Sequence, residues 1–270
     1  MSSTGFLKLS DADYFAHPAI SKSSLSLLAK CPAYYRYWSE VGRPKTKAMD
    51  LGSAVHCGVL EPELFNERYI MNPGIDRRSN AGKAAYAEWQ QAHAGKTVLP
   101  EDDWYQALAM IDAVKAHPLS QLVFKKGLAE HAAFWTSDIG DVACKAKADW
   151  IDTEHGILVD LKTTENASYE AFQRSMMQYG YGMQLAYYLD GCRQAIKDVE
   201  INDAVIIAVE SKAPYLVGFY RPTEAMLEHG RREYRRALET YHHCVTTNEW
   251  PGLPSQFVEI DLPAWVKKEA

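Results

Sequence analysis

KAKADWIDTEHGILVDLKTT, residues 145–164, alternates apolar and charged positions on either side of a turn at Glu154, His155 and Gly156. A period of two belongs to strands. On the first strand it puts Lys145, Lys147 and Asp149 on one face, with Cys144, Ala146, Ala148 and Trp150 on the other. On the second, Asp160 and Lys162 share a face opposite Val159 and Leu161. If the two strands pair as a hairpin, Asp149 and Asp160 approach each other with Lys162 beside them. Converging carboxylates repel unless a cation lies between them. Hard oxygen ligands suit Mg²⁺ or Mn²⁺, which keep waters and accept phosphate oxygens. A neighbouring ammonium can orient or deprotonate an attacking water and offset charge on a pentavalent phosphorus, so the pattern points to metal-assisted phosphodiester hydrolysis. Apolar neighbours on both strands argue for a largely buried sheet rather than a solvated hairpin.

Working outward, residues 1–20 carry no period and read as a lead-in arm. Ser21 to Trp38 predicts a helix, N-capped at Ser21 or Ser23 and kinked at Pro32. VGRPKTKAMD reads as a connector, and Leu51 to Leu60 as a helix with apolar residues at four-residue steps. A loop over 71–83 precedes helices at about Ala81–His93, N-capped by Asn80, and Glu101–Ala116. Strands are predicted over Glu130–Thr136, Val142–Asp152 and Ile157–Thr164, then a long helix over Tyr169–Ile196. Strands over Ala204–Glu210 and Tyr215–Arg221 and a helix over Thr223–Val245, capped by Thr223, follow. The order predicts an α/β fold, a mixed sheet flanked by helices with a helical N-terminal part. We expect one domain over 1–270: a mainly helical part (1–120), an α/β core (121–250) and a tail (251–270).

Composition excludes several classes. With 270 residues, 47% hydrophobic and 24% charged, the chain is neither disordered nor a disulfide scaffold. No apolar run approaches the roughly 20 residues of a membrane span. No secretory signal is visible, so a cytoplasmic location is expected. Cysteines at 31, 57, 144, 192 and 244 are too dispersed for a zinc site and suit reduced thiols. A net charge of −6 gives no global basic footprint, though a local basic groove remains compatible with it.

Two further pieces extend the constellation. His56 lies in LGSAVHCGVL, with Gly52 and Ser53 leaving room beside its ring, and Gln184 and Tyr188 sit one helical turn apart in YGMQLAYYLDG. Together LGSAVH, KAKADWI, LVDLKTT and Q-L-A-Y-Y resemble the nuclease domain of RecE-type exonucleases (exodeoxyribonuclease VIII). That group lies within the PD-(D/E)XK superfamily, with lambda exonuclease and RecB-type nucleases as more distant relatives. SKSSLSLLAKCPAYYRYW is similar to the family's opening helix, so the likeness spans roughly residues 18–220.

The resemblance implies a restriction-endonuclease-like core with Asp149 and Asp160 as metal carboxylates. It adds His56 and the backbone carbonyl of Leu161 as metal ligands, with Glu130 a further acidic candidate. Lys162 would assist the water nucleophile, and Gln184 and Tyr188 would hold the site or the scissile strand. Asp160 stands where many members have Glu. The implied cofactor is Mg²⁺, with Mn²⁺ able to substitute. No iron–sulfur cluster is expected, because Cys244 stands alone where three ligands would cluster. The implied activity is 5′→3′ digestion of linear duplex DNA to leave 3′ tails for phage-type recombination, in a bacterial or phage-encoded protein. The implied partners are DNA ends, a single-strand annealing protein and further copies of the chain in a ring. The alternatives are a RecB-like single-strand or flap nuclease, or an inactive DNA-end-binding module. For DNA contact the candidates are Arg77, Arg78 and Lys83, beside a helix N-terminus, and Lys147. Arg231, Arg232, Arg235 and Arg236 alternate with Glu228 and Glu233, which suits a salt-bridged helix or a subunit contact better than a groove.

Overall fold

The computed structural model describes residues 4–44 and 46–262; residues 1–3, 45 and 263–270, in the expected arm, connector and tail, lie outside them. The chain opens with strand β1 (Gly5–Lys8) and helix α1 (Asp11–Ala16), where the sequence suggested only a lead-in. Both are too short to show a period. Ser10 caps α1 by accepting the Asp13 N–H at 3.1 Å. Ser21 caps α2 (Lys22–Lys30), and Pro32 begins α3 (Pro32–Val41). The expected kinked helix is therefore two helices, because a proline ring clashes with the preceding turn yet fits a first turn. Thr46 caps α4 (Lys47–Leu60), so the end of the expected connector is helical.

Helix α5 (Pro62–Arg68) leads into β2 (Tyr69–Met71), which pairs in parallel with β3 (Thr97–Leu99) apart from the main sheet. Between them runs α6 (Asn80–Ala92), capped by Ser79 rather than Asn80. Next come α7 (Glu101–Ala116), α8 (Pro118–Val123), β4 (Gly127–Thr136), β5 (Ala143–Asp152) and β6 (Ile157–Thr164). The single helix expected over 169–196 is α9 (Tyr169–Gln178) and α10 (Tyr181–Ala195), split where Gly180 takes a left-handed φ of 63°. Strands β7 (Asp203–Glu210) and β8 (Val217–Tyr220) and helix α11 (Glu224–Thr247) complete the order.

The main sheet runs β1-β4-β5-β6-β7-β8. Only β6–β7 is parallel, joined through α9 and α10. Helices α2, α10 and α11 bury one face, against Cys144, Ala146, Ala148, Leu158 and Ile206. Helices α4 and α7 bury the other, against Val159, Leu161, Ile207 and Val209. This is the expected mixed sheet between helical layers.

The sheet is irregular between β4 and β5. Their ladder omits a single facing pair, Glu130 and Asp149, and Glu130 has φ 55°. Ala133, Ala146 and Ala148 pack on the α10 side, whereas Ala129 and Trp150 pack on the α4 side. Alternation thus reverses on both strands at the same level.

Helix α11 lies directly on α10. A Cβ at Gly230 would overlap the backbone carbonyl of Gly182, which is not a flexible side chain that can step aside. Gly230→Ala should therefore lower stability by about 1–3 kcal/mol, although alanine is the better helix former. Denaturant melts check this; an unchanged or raised midpoint would contradict the close approach.

Candidate active site

Strands β5 and β6 pair only over Trp150–Asp152 and Ile157–Val159. Beyond that, β6 continues beside β7 and β5 beside β4. The strands pair as a hairpin near their turn and fork at the level of Asp149 and Asp160. Asp149 Oδ2 accepts the Leu161 N–H at 2.7 Å, so a carboxylate takes the place a ladder carbonyl would hold.

Asp160 is buried on β6. Its Oδ1 accepts from Gln184 Nε2 at 2.5 Å. Its Oδ2 lies 2.5 Å from Lys162 Nζ but has no aligned hydrogen-bond donor. The Lys162 ammonium sits 5.3 Å above the centre of the Tyr181 ring. From the opposite layer, α4 brings His56 Nδ1 to 3.5 Å from Asp149 Oδ2. Glu130 joins them, so His56, Glu130 and Asp149 each offer a ligand atom within 4.8 Å of the others. Tyr188, half-buried one turn after Gln184, is close enough for the Asp160 and Asp149 charges to reinforce the upward shift that burial gives its phenol. The structure therefore gathers His56, Glu130, Asp149, Asp160, Leu161, Lys162, Gln184 and Tyr188 around one fork.

Electrostatics there favour a cation. Burial raises the carboxyl pKa of Asp149 and of Asp160 above the ordinary range, although Lys162 opposes it in both. Glu130 is raised by burial and by the Asp149 charge. Burial works against the Lys162 ammonium too, but Asp160 and Asp149 more than offset it, and its pKa is raised. His56 is lowered, first by burial and then by Lys162, so its imidazole is neutral and able to ligate. A neutral imidazole, three carboxylates reluctant to ionise and an unaligned carboxylate oxygen suit a hard divalent cation.

The basic candidates lie elsewhere. Arg77, Arg78 and Lys83 are exposed around the start of α6, a helix with no buried residue. Arg78 gives its guanidinium to Asp76, with Nη2–Oδ2 at 2.7 Å, and Arg77 lies 4.6 Å over the Tyr86 ring. Lys147, the other residue expected to contact DNA, is ion-paired beside Glu130. Its ammonium lies 2.5 Å from Asp11 Oδ1 and 2.6 Å from Glu130 Oε2. On α11, Arg231 pairs with Glu228 of the same helix as the interleaving suggested, but also with Asp190, and Arg235 pairs with Asp138 off the helix.

Sequence reasoning missed Asp11, Tyr14, Lys22 and Tyr181. Tyr181, three residues before Gln184, follows from helical spacing once the helix break at Gly180 is known. Lys22 donates to the Tyr179 carbonyl at 3.0 Å, and its pKa falls to about 8 through burial and the nearby Lys162 charge. The S-D-A-D run at residues 10–13 is the one local signal for the cap that starts α1.

Comparison with known proteins accords with this geometry. Among solved structures, a protein of Eubacterium rectale named "Putative exonuclease" superposes with a TM-score of 0.63 at 15% identity, over 98% of this chain and 99% of that one. A phage related exonuclease from Haemophilus somnus gives a TM-score of 0.38 at 11% identity, over 88% of this chain and 100% of that one, and carries no weight here. At these identities the first likeness speaks for the fold alone. No curated protein matches by sequence. A family model does, the "PDDEXK-like domain of unknown function (DUF3799)", over residues 21–257. With a match of that extent, the chain belongs to the PDDEXK-like DUF3799 family.

Proposed function

We propose that the chain is a Mg²⁺-dependent deoxyribonuclease that digests linear duplex DNA from a 5′ end and leaves 3′ single-stranded tails. The observation that carries nuclease chemistry is the fork itself, which sets Asp149, Asp160 and Lys162 around one point. Membership of a PDDEXK-like family and the name of the Eubacterium rectale neighbour support a nuclease. Duplex preference, direction, a role in recombination, an annealing partner and a ring of copies rest on the sequence resemblance to RecE-type exonucleases.

In this reading Asp149, Asp160, His56 and the Leu161 carbonyl hold the cation. When bound, a divalent cation supplies Lewis-acid stabilisation of charge on the phosphoryl oxygens. Gln184 fixes Asp160 by donating to Oδ1, leaving Oδ2 for the reaction side. Lys162, held against Asp160, orients or deprotonates the attacking water and balances charge on the pentavalent phosphorus. Tyr188 and Gln184 hold the site or the scissile strand, and residues 77–83 at the start of α6 form an arm that contacts the DNA backbone.

Asp149→Asn, which keeps a side-chain oxygen to accept the Leu161 N–H, should abolish cleavage with the fold retained, as seen by circular dichroism. Lys162→Ala should lower kcat by roughly 10²–10³ while DNA affinity stays nearly constant. Near wild-type turnover in either variant would overturn the site.

A second expectation concerns pH. Asp149, Asp160 and Glu130 have folded pKa values raised above their unfolded ones in the metal-free protein. The stability they contribute is present below the unfolded carboxylate range and is lost as pH rises through the raised folded values. Chelated protein should lose melting temperature as pH climbs out of the carboxylate range, and Mg²⁺ should restore it more at higher pH. A Mg²⁺ effect that shrinks with rising pH would contradict the assignment.

A third expectation concerns the arm. Because Arg78 is committed to Asp76, Arg77→Ala should be the more damaging change. It should slow cleavage of 5′-phosphorylated ends more than of 5′-hydroxyl ends and reduce the salt slope of binding by about one unit. Equal rates to wild type on both substrates would leave the arm outside the DNA path.

A further inference from the structure

We infer that Lys147 is a positioning residue, whose ammonium, braced by Asp11, holds Glu130 in place as an additional carboxylate ligand of the cation. The inference rests on the metal-site reading above and assigns a task to residues that reading leaves idle.

Three independent features converge. Glu130 keeps a left-handed φ of 55° in the interior of a strand, a conformation that a non-glycine side chain holds only when its surroundings impose it. It faces Asp149 at the one level omitted from the β4–β5 ladder, and its carboxylate reaches the ligand atoms of Asp149 and His56. Finally, Lys147 Nζ lies 2.6 Å from Glu130 Oε2 and 2.5 Å from Asp11 Oδ1, with Tyr14 beneath it at 6.0 Å. The Glu130 carboxylate is thus anchored by Lys147 while it lies within reach of the Asp149 and His56 ligand atoms.

Asp11 matters to the charge balance. Its carboxylate shares the Lys147 ammonium with Glu130, while Lys162 sits against Asp160. A surface helix, α1, thereby reaches a ligand of the cation through one lysine. Outer partners of this kind set the orientation of ligands and tune metal affinity.

The sign of one substitution separates positioning from simple charge. Deleting a positive charge beside a cation site tightens metal binding if charge alone acts. If Lys147 positions Glu130, its loss loosens binding. The test is calorimetric titration of the full chain with Mn²⁺, without DNA and at one pH. Lys147→Met should weaken Mn²⁺ binding by about 10–100-fold, and Lys147→Arg should recover most of it. Glu130→Gln should weaken binding too, and adding Lys147→Met to it should have no further effect, because the two act as one unit. Should Lys147→Met fail to fold, Lys147→Gln reads the same cycle. Unchanged or tighter Mn²⁺ binding without Lys147, or a loss that persists in full in the Glu130→Gln background, would overturn the inference. If Lys147→Met instead weakens DNA binding in EDTA with Mn²⁺ affinity intact, Lys147 is a phosphate contact and the inference fails. Wild type that binds no Mn²⁺ would refute the metal-site reading itself, a result distinct from all of these.

Discussion

The hydrogen bond from the Leu161 N–H to Asp149 Oδ2 sits where two strands stop pairing. A strand N–H buried at a fork must find an acceptor, since leaving it unmade costs about 1–3 kcal/mol. Here the acceptor is a side chain rather than a backbone carbonyl. That substitution lets β6 turn away to pair with β7 while β5 stays with β4, and it fixes Asp149 by one oxygen. The fork admits His56 from one helical layer and Gln184 from the other. Neither layer alone could surround the site.

A fork lined with carboxylates is costly unless something balances it. Asp160 is buried beside Lys162, and Glu130 lies beside Lys147, whereas Asp149 is held by the Leu161 N–H and His56. Removing one partner of such a buried pair leaves an uncompensated charge and is more damaging than the pair is stabilising. The arrangement is therefore better read as specification than as a source of stability. Burial still raises the three site carboxyls, so the protein without a cation carries an electrostatic cost at neutral pH. A cation bound at the fork would relieve that cost.

Much of this was legible in the sequence because period-two alternation is strong over residues 143–148 and 157–164, although Trp150 lies opposite Ala146 and Ala148 rather than beside them. β6 matches its predicted limits, and the placement of Asp160 and Lys162 opposite Val159 and Leu161 follows from the pleat alone. The fork was not legible. Facing residues in a hairpin look the same in sequence whether the strands pair or part, and the parting depends on β7, more than forty residues away. The reversal at Glu130 was hidden for a related reason: a left-handed φ at glutamate has no composition signal, unlike Gly180 between α9 and α10. Lys147 looked like a free basic residue because its partner Asp11 lies on a six-residue helix that shows no period. The loop at Arg77 and Arg78 was located correctly, yet the Asp76 carboxylate that occupies Arg78 acts within the loop and was passed over.

The central claim is that the β5–β6 fork is a cation site formed by Asp149 and Asp160. Crystals soaked in Mn²⁺, with anomalous differences measured at the manganese edge, test it most directly. The account predicts anomalous density between the Asp149 and Asp160 carboxylates, within ligand distance of both. Density confined to surface carboxylates, with the fork empty at saturating Mn²⁺, would contradict it.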